Sequence, residues 1–303
     1  MSVKRSFILA AVAALAGNAS AIIIATGAPG AGTTTQWDGV GEVLNGFDPG
    51  TGTMLDNSHI LTAAHLVFDN TSQTTLLASS INFNLSGTNY PISNVKVHSS
   101  YTGGGQYDIA VLTLATPLNG HTTYGYNTGS LNELTVKSAT IVGYGKGGDG
   151  TTGFNGTLFP YGTKREATNN IDLVTTLTGT TVTDKYGQTG NLPPGVIAWD
   201  FSTFSPTSPS PLGGTVSGAN EGDIVFGDSG APVFQFDSTA SKYIITGVAV
   251  DGTDFASRFG QVSWATRTST YSSFISTSVP EPTSLALIAI ASLGMMGRRR
   301  KAQ

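Results

Sequence analysis

Gly227-Asp228-Ser229-Gly230-Ala231-Pro232 holds a serine in a tight turn between two glycines, and the apolar run 231–236 that follows suits a buried strand. Two other segments are built alike. Ile60-Leu61-Thr62-Ala63-Ala64-His65 is a strand that runs into small residues and ends on a histidine, and Tyr107-Asp108-Ile109-Ala110-Val111-Leu112 opens a strand with a carboxylate. In each, one polar group stands where an apolar core would not want it. Singly they mean little. A lone histidine is commonly a satisfied core or surface residue, Asp108 alone could cap a strand, and a Gly-Asp-Ser-Gly turn arises by chance in a chain with 39 glycines. It is their conjunction that points to chemistry.

Acyl transfer needs these three groups together. A serine hydroxyl is a weak nucleophile at neutral pH, so a neighbouring imidazole, here His65, must take its proton. The imidazole in turn needs its other nitrogen held by a buried carboxylate, which suits Asp108 beside Ile109 and Val111. The tetrahedral oxyanion needs backbone N–H donors aimed from a turn, and Gly227 and Ser229 are the expected oxyanion hole.

The segments LTAAH, YDIAVLTL and GDSGAP, in the order His, Asp, Ser, resemble the signatures of trypsin-like serine proteases. The resemblance runs through most of residues 38–275. GTGTML at 50–55 looks like the strand before the histidine, IVGYG at 141–145 like the start of a second barrel, and TGVAVDG at 246–252 like the strand lining the substrate cleft. It implies an all-β fold of two six-stranded antiparallel barrels with the active-site cleft between them and a short C-terminal helix. The departures are Ala231 where the family usually has Gly, Val250-Asp251-Gly252 where it usually has Ser-Trp-Gly, and the absence of its disulfides. The resemblance further implies a specificity pocket with Asp223 at its base, six residues before Ser229, and Gly252 in its wall, hence cleavage after Arg or Lys. It also implies that a freed Ile22 amine would pair with Asp228.

Many short strands with Gly-rich turns read as a sandwich or barrel. Strands are expected at 41–44, 59–62, 92–97, 109–114, 140–143, 171–175, 231–236 and 243–250, and a final helix near 270–277. The first barrel is placed at about 36–125 and the second at about 135–275, joined through the polar stretch 119–134. Residues 202–220, with repeated Ser-Pro steps, read as a long surface loop.

Both ends read as processing segments. Lys4 and Arg5, the apolar run 7–16 and the small residues Ala19, Ser20 and Ala21 have the layout of a secretory signal peptide, cut after Ala21 by signal peptidase. The mature domain is then 22–278. Toward the other end, Pro280-Glu281-Pro282 precedes an apolar run at 285–297 and the cluster Arg298, Arg299, Arg300 and Lys301. That order resembles the PEP-CTERM sorting signal of Gram-negative bacteria, at 279–303, and implies an exosortase as partner. The run has 13 residues, short of the roughly 20 of a stable span, so transient insertion in the inner membrane is expected before release to the envelope or beyond. A plain membrane anchor is the simpler alternative.

Removing those ends takes away six of the 15 Lys and Arg but one of the 19 Asp and Glu, leaving a core near −9. Such a core disfavours nucleic acid and anionic lipid as partners and leaves a protein or peptide substrate. With no cysteine, stability must come from the core itself. No cofactor or metal is expected: His59, His98 and His121 lack metal-ligand spacing, and Gly147-Gly148-Asp149-Gly150 reads as a turn. A secreted serine endopeptidase is the leading reading. A catalytically silent, protease-like module binding exopolysaccharide or another envelope component is the competing one, and an esterase using the same triad is a third.

Overall fold

The computed structural model describes residues 22–25, 35–155, 157, 160–202, 210–214, 216–218, 220–254 and 256–279. Apart from Val279, the segments assigned to export and sorting, including Pro280, Glu281, Pro282 and Arg298 to Arg300, lie outside the described residues.

The first half closes into a six-stranded barrel, in the order Val40–Leu44, Gly50–Met54, His59–Thr62, Ala110–Leu114, Thr88–Val97, Asn82–Leu85. Closure comes from Val40–Leu44 pairing with both Gly50–Met54 and Asn82–Leu85. The two apolar strands His59–Thr62 and Ala110–Leu114 are neighbours, with Ile60 opposite Leu112 and Leu61 opposite Val111. Val43, Met54, Ile60, Phe83 and Leu112 fill the interior. Closing the sheet on itself removes the exposed strand edges that an open sheet would have to cover.

The second half is a half-barrel rather than the second six-stranded barrel expected. It is a seven-stranded sheet in the order Arg165–Asn170, Ser138–Gly143, Pro232–Asp237, Lys242–Gly252, Val262–Arg267, Val196–Asp200, Leu173–Val174. Its two edge strands are consecutive in the chain. Between them the Ile171 amide bonds the Lys137 carbonyl and the Asp172 amide bonds that of Ala198, so the sheet wraps toward itself through a bend rather than a continuous ladder. Where residues 171–175 were expected as one strand, only Leu173–Val174 pairs. Ile141, Ile197, Trp199 and Val233 pack beneath the sheet.

Several connections fix one half against the other. Trp37 stacks on Phe234 with ring centroids 4.6 Å apart. The Thr51 amide donates to the Ser229 carbonyl at 2.7 Å, and the Tyr144 amide to the Thr51 hydroxyl at 3.1 Å. The helix Ser272–Ser278, as expected near 270–277, follows Tyr271, whose ring packs edge-on against His98 and Tyr107 of the first half. Finally, the strand Ile22–Ile24 runs parallel to Gly147–Asp149 and antiparallel to Gly222–Asp223, with all three residues buried.

Candidate active site

His65 leaves the first barrel where the strand His59–Thr62 gives way to the 3₁₀ turn Ala64–Leu66. Ala63 and Ala64 are fully buried, so the small residues let the backbone turn sharply under the imidazole. Asp108 sits just before Ala110–Leu114, the strand paired with His59–Thr62, and this adjacency brings the two residues together. His65 Nδ1 lies 2.7 Å from Asp108 Oδ2, and the His65 amide donates to Asp108 Oδ1 at 2.9 Å. One carboxylate thus fixes both the ring and the backbone of His65. Asp108 is buried, and its carbonyl accepts the Thr266 hydroxyl at 2.8 Å, tying it to the second half. Burial disfavours the imidazolium, but Asp108 and, beyond it, Asp251 outweigh that and raise the His65 pKa.

Ser229 comes from the other half. Its turn is held by Gly230 N–H to the Ala249 carbonyl and Ala231 N–H to the Asp228 carbonyl, both 2.8 Å. Gly230 has φ +84°, and a Cβ there would lie 2.1 Å from the Thr51 carbonyl oxygen, so only glycine lets the turn press on the first barrel. Gly227, at φ +95°, faces the Tyr161 ring, with 2.5 Å left for a Cβ. Among the described residues, neither the Gly227 nor the Ser229 amide donates a hydrogen bond within the chain. His65, Asp108, Gly227 and Ser229 all line one cavity of about 810 Å³ at the seam. Ser229 and His65 both line that space, and no direct hydrogen bond joins their side chains.

Asp228 points the other way, into the protein. Its Oδ1 accepts the Gly145 amide at 2.9 Å and its Oδ2 the Val225 amide at 3.0 Å. Burial pushes its acid up to about 7, although these donors and the nearby Arg165 pull it down. Arg165 is itself fully buried and donates to the Gly145 and Thr163 carbonyls, each at 3.0 Å. Burial lowers its pKa to about 9 against the attraction of Asp228.

The residues expected to form a specificity pocket lie elsewhere. Asp223 is wholly buried, its Oδ1 accepting the Trp199 indole N–H at 3.0 Å and the Ile224 amide at 2.9 Å. Burial pushes it up to about 6, opposed by Ser263, Ile224 and Trp199. Gly252 pairs with Ser263, whose hydroxyl would be 3.0 Å from a Cβ at that position. Neither Asp223 nor Gly252 lines the cavity that holds His65 and Ser229. That cavity is walled instead by Phe47, Leu66, Tyr101, Tyr161, Phe226 and Asp251, among others. Of the described residues, no group of three or more His, Cys, Asp or Glu is arranged to hold a metal ion.

The architecture is that of an all-β protein whose candidate site lies in the seam between a closed barrel and a half-barrel, one half bringing a histidine–aspartate pair and the other a serine turn. The trypsin family model matches residues 26–196, more than half of the sequence, and the chain belongs to that family. The matched span contains His65 and Asp108, while Ser229 lies beyond it. A PEP-CTERM protein-sorting motif matches residues 278–301. No curated protein matches the chain.

Proposed function

We propose that the protein is an exported serine endopeptidase in which Ser229 is the nucleophile, His65 the general base and Asp108 its orienting carboxylate. The observation that carries this reading is the 2.7 Å contact of His65 Nδ1 with buried Asp108, made across the same cavity as Ser229. With Nδ1–H committed to Asp108, Nε2 is the nitrogen left to accept the Ser229 proton as Oγ attacks the substrate carbonyl. The developing oxyanion would be met by the Gly227 and Ser229 amides. The imidazolium then returns its proton to the leaving amine, and water repeats the cycle on the acyl-enzyme. An active-site phosphonate should label the processed protein, and labelling should vanish in Ser229→Ala. A correctly processed protein that takes no label and cleaves no casein would favour the silent envelope-binding module, and cleavage of short esters alone would favour an esterase.

Activation is proposed to follow removal of residues 1–21, when the Ile22 amine could reach Asp228. The burial of Ile22–Ile24 beside Gly222–Asp223 supports this, as does a buried Asp228 carboxylate held by amides and by no ion pair among the described residues. Mass spectrometry of the mature N-terminus tests it; full activity with an extra alanine before Ile22 would end the idea. For primary specificity, a preference for Arg or Lys through Asp223 would require the substrate cation to displace the Trp199 indole from its carboxylate. An unchanged ranking of Arg-, Phe- and Ala-ended amides in Asp223→Ser would remove that residue from the account.

The sorting motif supports export to a Gram-negative envelope. Exosortase processing is expected near Pro280-Glu281-Pro282, after the segment 285–297 has held the chain at the inner membrane. In a host with the matching exosortase, Glu281→Ala should stay uncut and membrane-bound while the wild type loses its tail. Among the described residues, no helix is long and apolar enough to cross a membrane.

A further inference from the structure

Asp251 is held at the cavity by an irregularity in the sheet. In the pairing of Lys242–Gly252 with Val262–Arg267, Ala249 stands opposite Ala265 and Asp251 opposite Trp264, so Val250 is an extra residue. In a regular strand, Asp251 would share a face with Ala249, which is fully buried. The bulge breaks that alternation and re-aims the side chain. As a result Asp251 lines the same cavity as His65 and Ser229, half-buried, with its Oδ1 accepting the Gly252 amide at 2.8 Å. It has no other hydrogen bond to a described residue. The strand is anchored to the nucleophile turn two residues earlier, at Ala249, whose carbonyl and amide bond Gly230 and Ala231.

The surroundings favour a cation. Among the described residues that line the cavity there is no lysine or arginine, whereas Asp48, Asp69, Asp108 and Asp251 are present. Asp108 is committed to His65, and Asp69 to the Thr71 amide and the Ser72 hydroxyl. Asp48 is exposed, which leaves Asp251 as the half-buried carboxylate with capacity to spare, near enough to His65 to raise the pKa of the imidazole. Burial already disfavours its charge, and His65 offsets this only in part, so its pKa is raised. An arriving ammonium or guanidinium would relieve that cost, which an apolar or acidic side chain could not.

We propose that Asp251 is a specificity-determining residue that selects substrates with a Lys or Arg side chain near the cut bond, at a position other than the residue just before it. The inference rests on the endopeptidase reading and on Val250 and Asp251 of the strand Lys242–Gly252 lining the cavity. It is independent of Asp223, which would act on the residue at the cut bond itself.

The test is cleavage of a peptide library with randomised positions, sequenced around the cut sites, by wild type, Asp251→Asn and Asp251→Arg. Each enzyme is first titrated with a neutral serine-directed phosphonate. Wild type should favour Lys and Arg over Gln at one position near the cut, other than the residue just before it, by about fivefold or more, the scale of a partly desolvated ion pair. Asp251→Asn should lose the preference, and Asp251→Arg should turn it toward Asp and Glu. Because each preference is a ratio within one enzyme, a change in overall rate does not affect it. A labelled, active wild type without the basic preference, or an unchanged preference in Asp251→Asn, would overturn this inference and leave the endopeptidase reading standing. A wild type that neither labels nor cleaves would defeat both.

Discussion

His65 and Ser229 are the residues on which the proposed chemistry depends, and each has a partner that defines its expected loss. His65→Ala and Ser229→Ala should each abolish nearly all amidase activity, and the double variant should lose little more, because groups acting as one unit are not additive. Asp108→Asn should keep the fold and lose activity by about 10⁴-fold, since an amide at Oδ2 leaves the imidazole in the wrong tautomer. Steady-state hydrolysis of a peptide amide by the purified variants checks all four; substantial activity in either single alanine variant would refute the assignment. The base must be neutral to act, and Asp108 and Asp251 raise the pKa of His65 above its ordinary 6.5. Activity should therefore rise with pH through a limb above 6.5, and Asp251→Asn should move that limb to lower pH. At this scale the sequence revealed what lies in a motif. His65, Asp108 and Ser229 each sit at the border of an apolar run and a turn. Arg165 was hidden, because a buried cation and a surface cation look the same in a string, although Lys164-Arg165 is the one adjacent basic pair between residues 22 and 278. The shielding of Asp223 was equally hidden, since Trp199 and Ser263 arrive from strands far from it in the chain.

The elements that position these residues depend on close backbone contact at the seam. Gly230→Ala would drive a methyl into the Thr51 carbonyl and strain a left-handed backbone, so the Thr51 to Ser229 hydrogen bond should break. A loss of roughly 2 kcal/mol or more in chemical denaturation is expected, with phosphonate labelling falling further than stability does. A fully labelled, equally stable variant would show that the turn has room to move. Strands were legible in the sequence where an apolar run stood between turns, as at His59–Thr62 and Pro232–Asp237. They were not where the inward face is polar. Arg165–Asn170 buries Arg165, Ala167 and Asn169, and the Asn169 amide group is satisfied by the Asp200 and Gly222 carbonyls. Val196–Asp200 is buried at every position, so it offers no alternation to read. The open second sheet follows from the same stretch, because the bend at Ile171 and Asp172 divides what reads as one strand.

Over the whole molecule, acid groups outnumber basic ones, and several are buried in the second half. Burial raises Asp172, Glu221 and Asp228 to about 7 and Asp223 to about 6. All four shifts have the same sign. The folded chain keeps protons that the unfolded chain has released, so stability should fall as pH rises from about 4 to about 7. Thermal unfolding of Ser229→Ala, which cannot digest itself, should show a lower midpoint at pH 8 than at pH 5; a higher one would mean that these carboxylates are ionised at little cost. Two of the buried acids, Asp200 and Glu221, also hold the loop at 202–220. Asp200 accepts the Ser210 hydroxyl and the Leu212 amide, and Glu221 the Ser202 and Ser217 amides. What reads in sequence as a long surface loop is thus tied to the second half at Ser202, Ser210, Leu212 and Ser217.

The strand Ile22–Ile24 gives the molecule a timetable. It is the earliest described part of the chain, yet its neighbours are Gly147–Asp149 and Gly222–Asp223, which a ribosome adds much later. The seam likewise waits for Ser229 to meet Thr51. A partly made or partly translocated chain therefore has no place where the two halves of the reaction can meet. On the proposed function, the reacting groups can assemble only once the chain has been made through Ser229 and its halves have closed on each other.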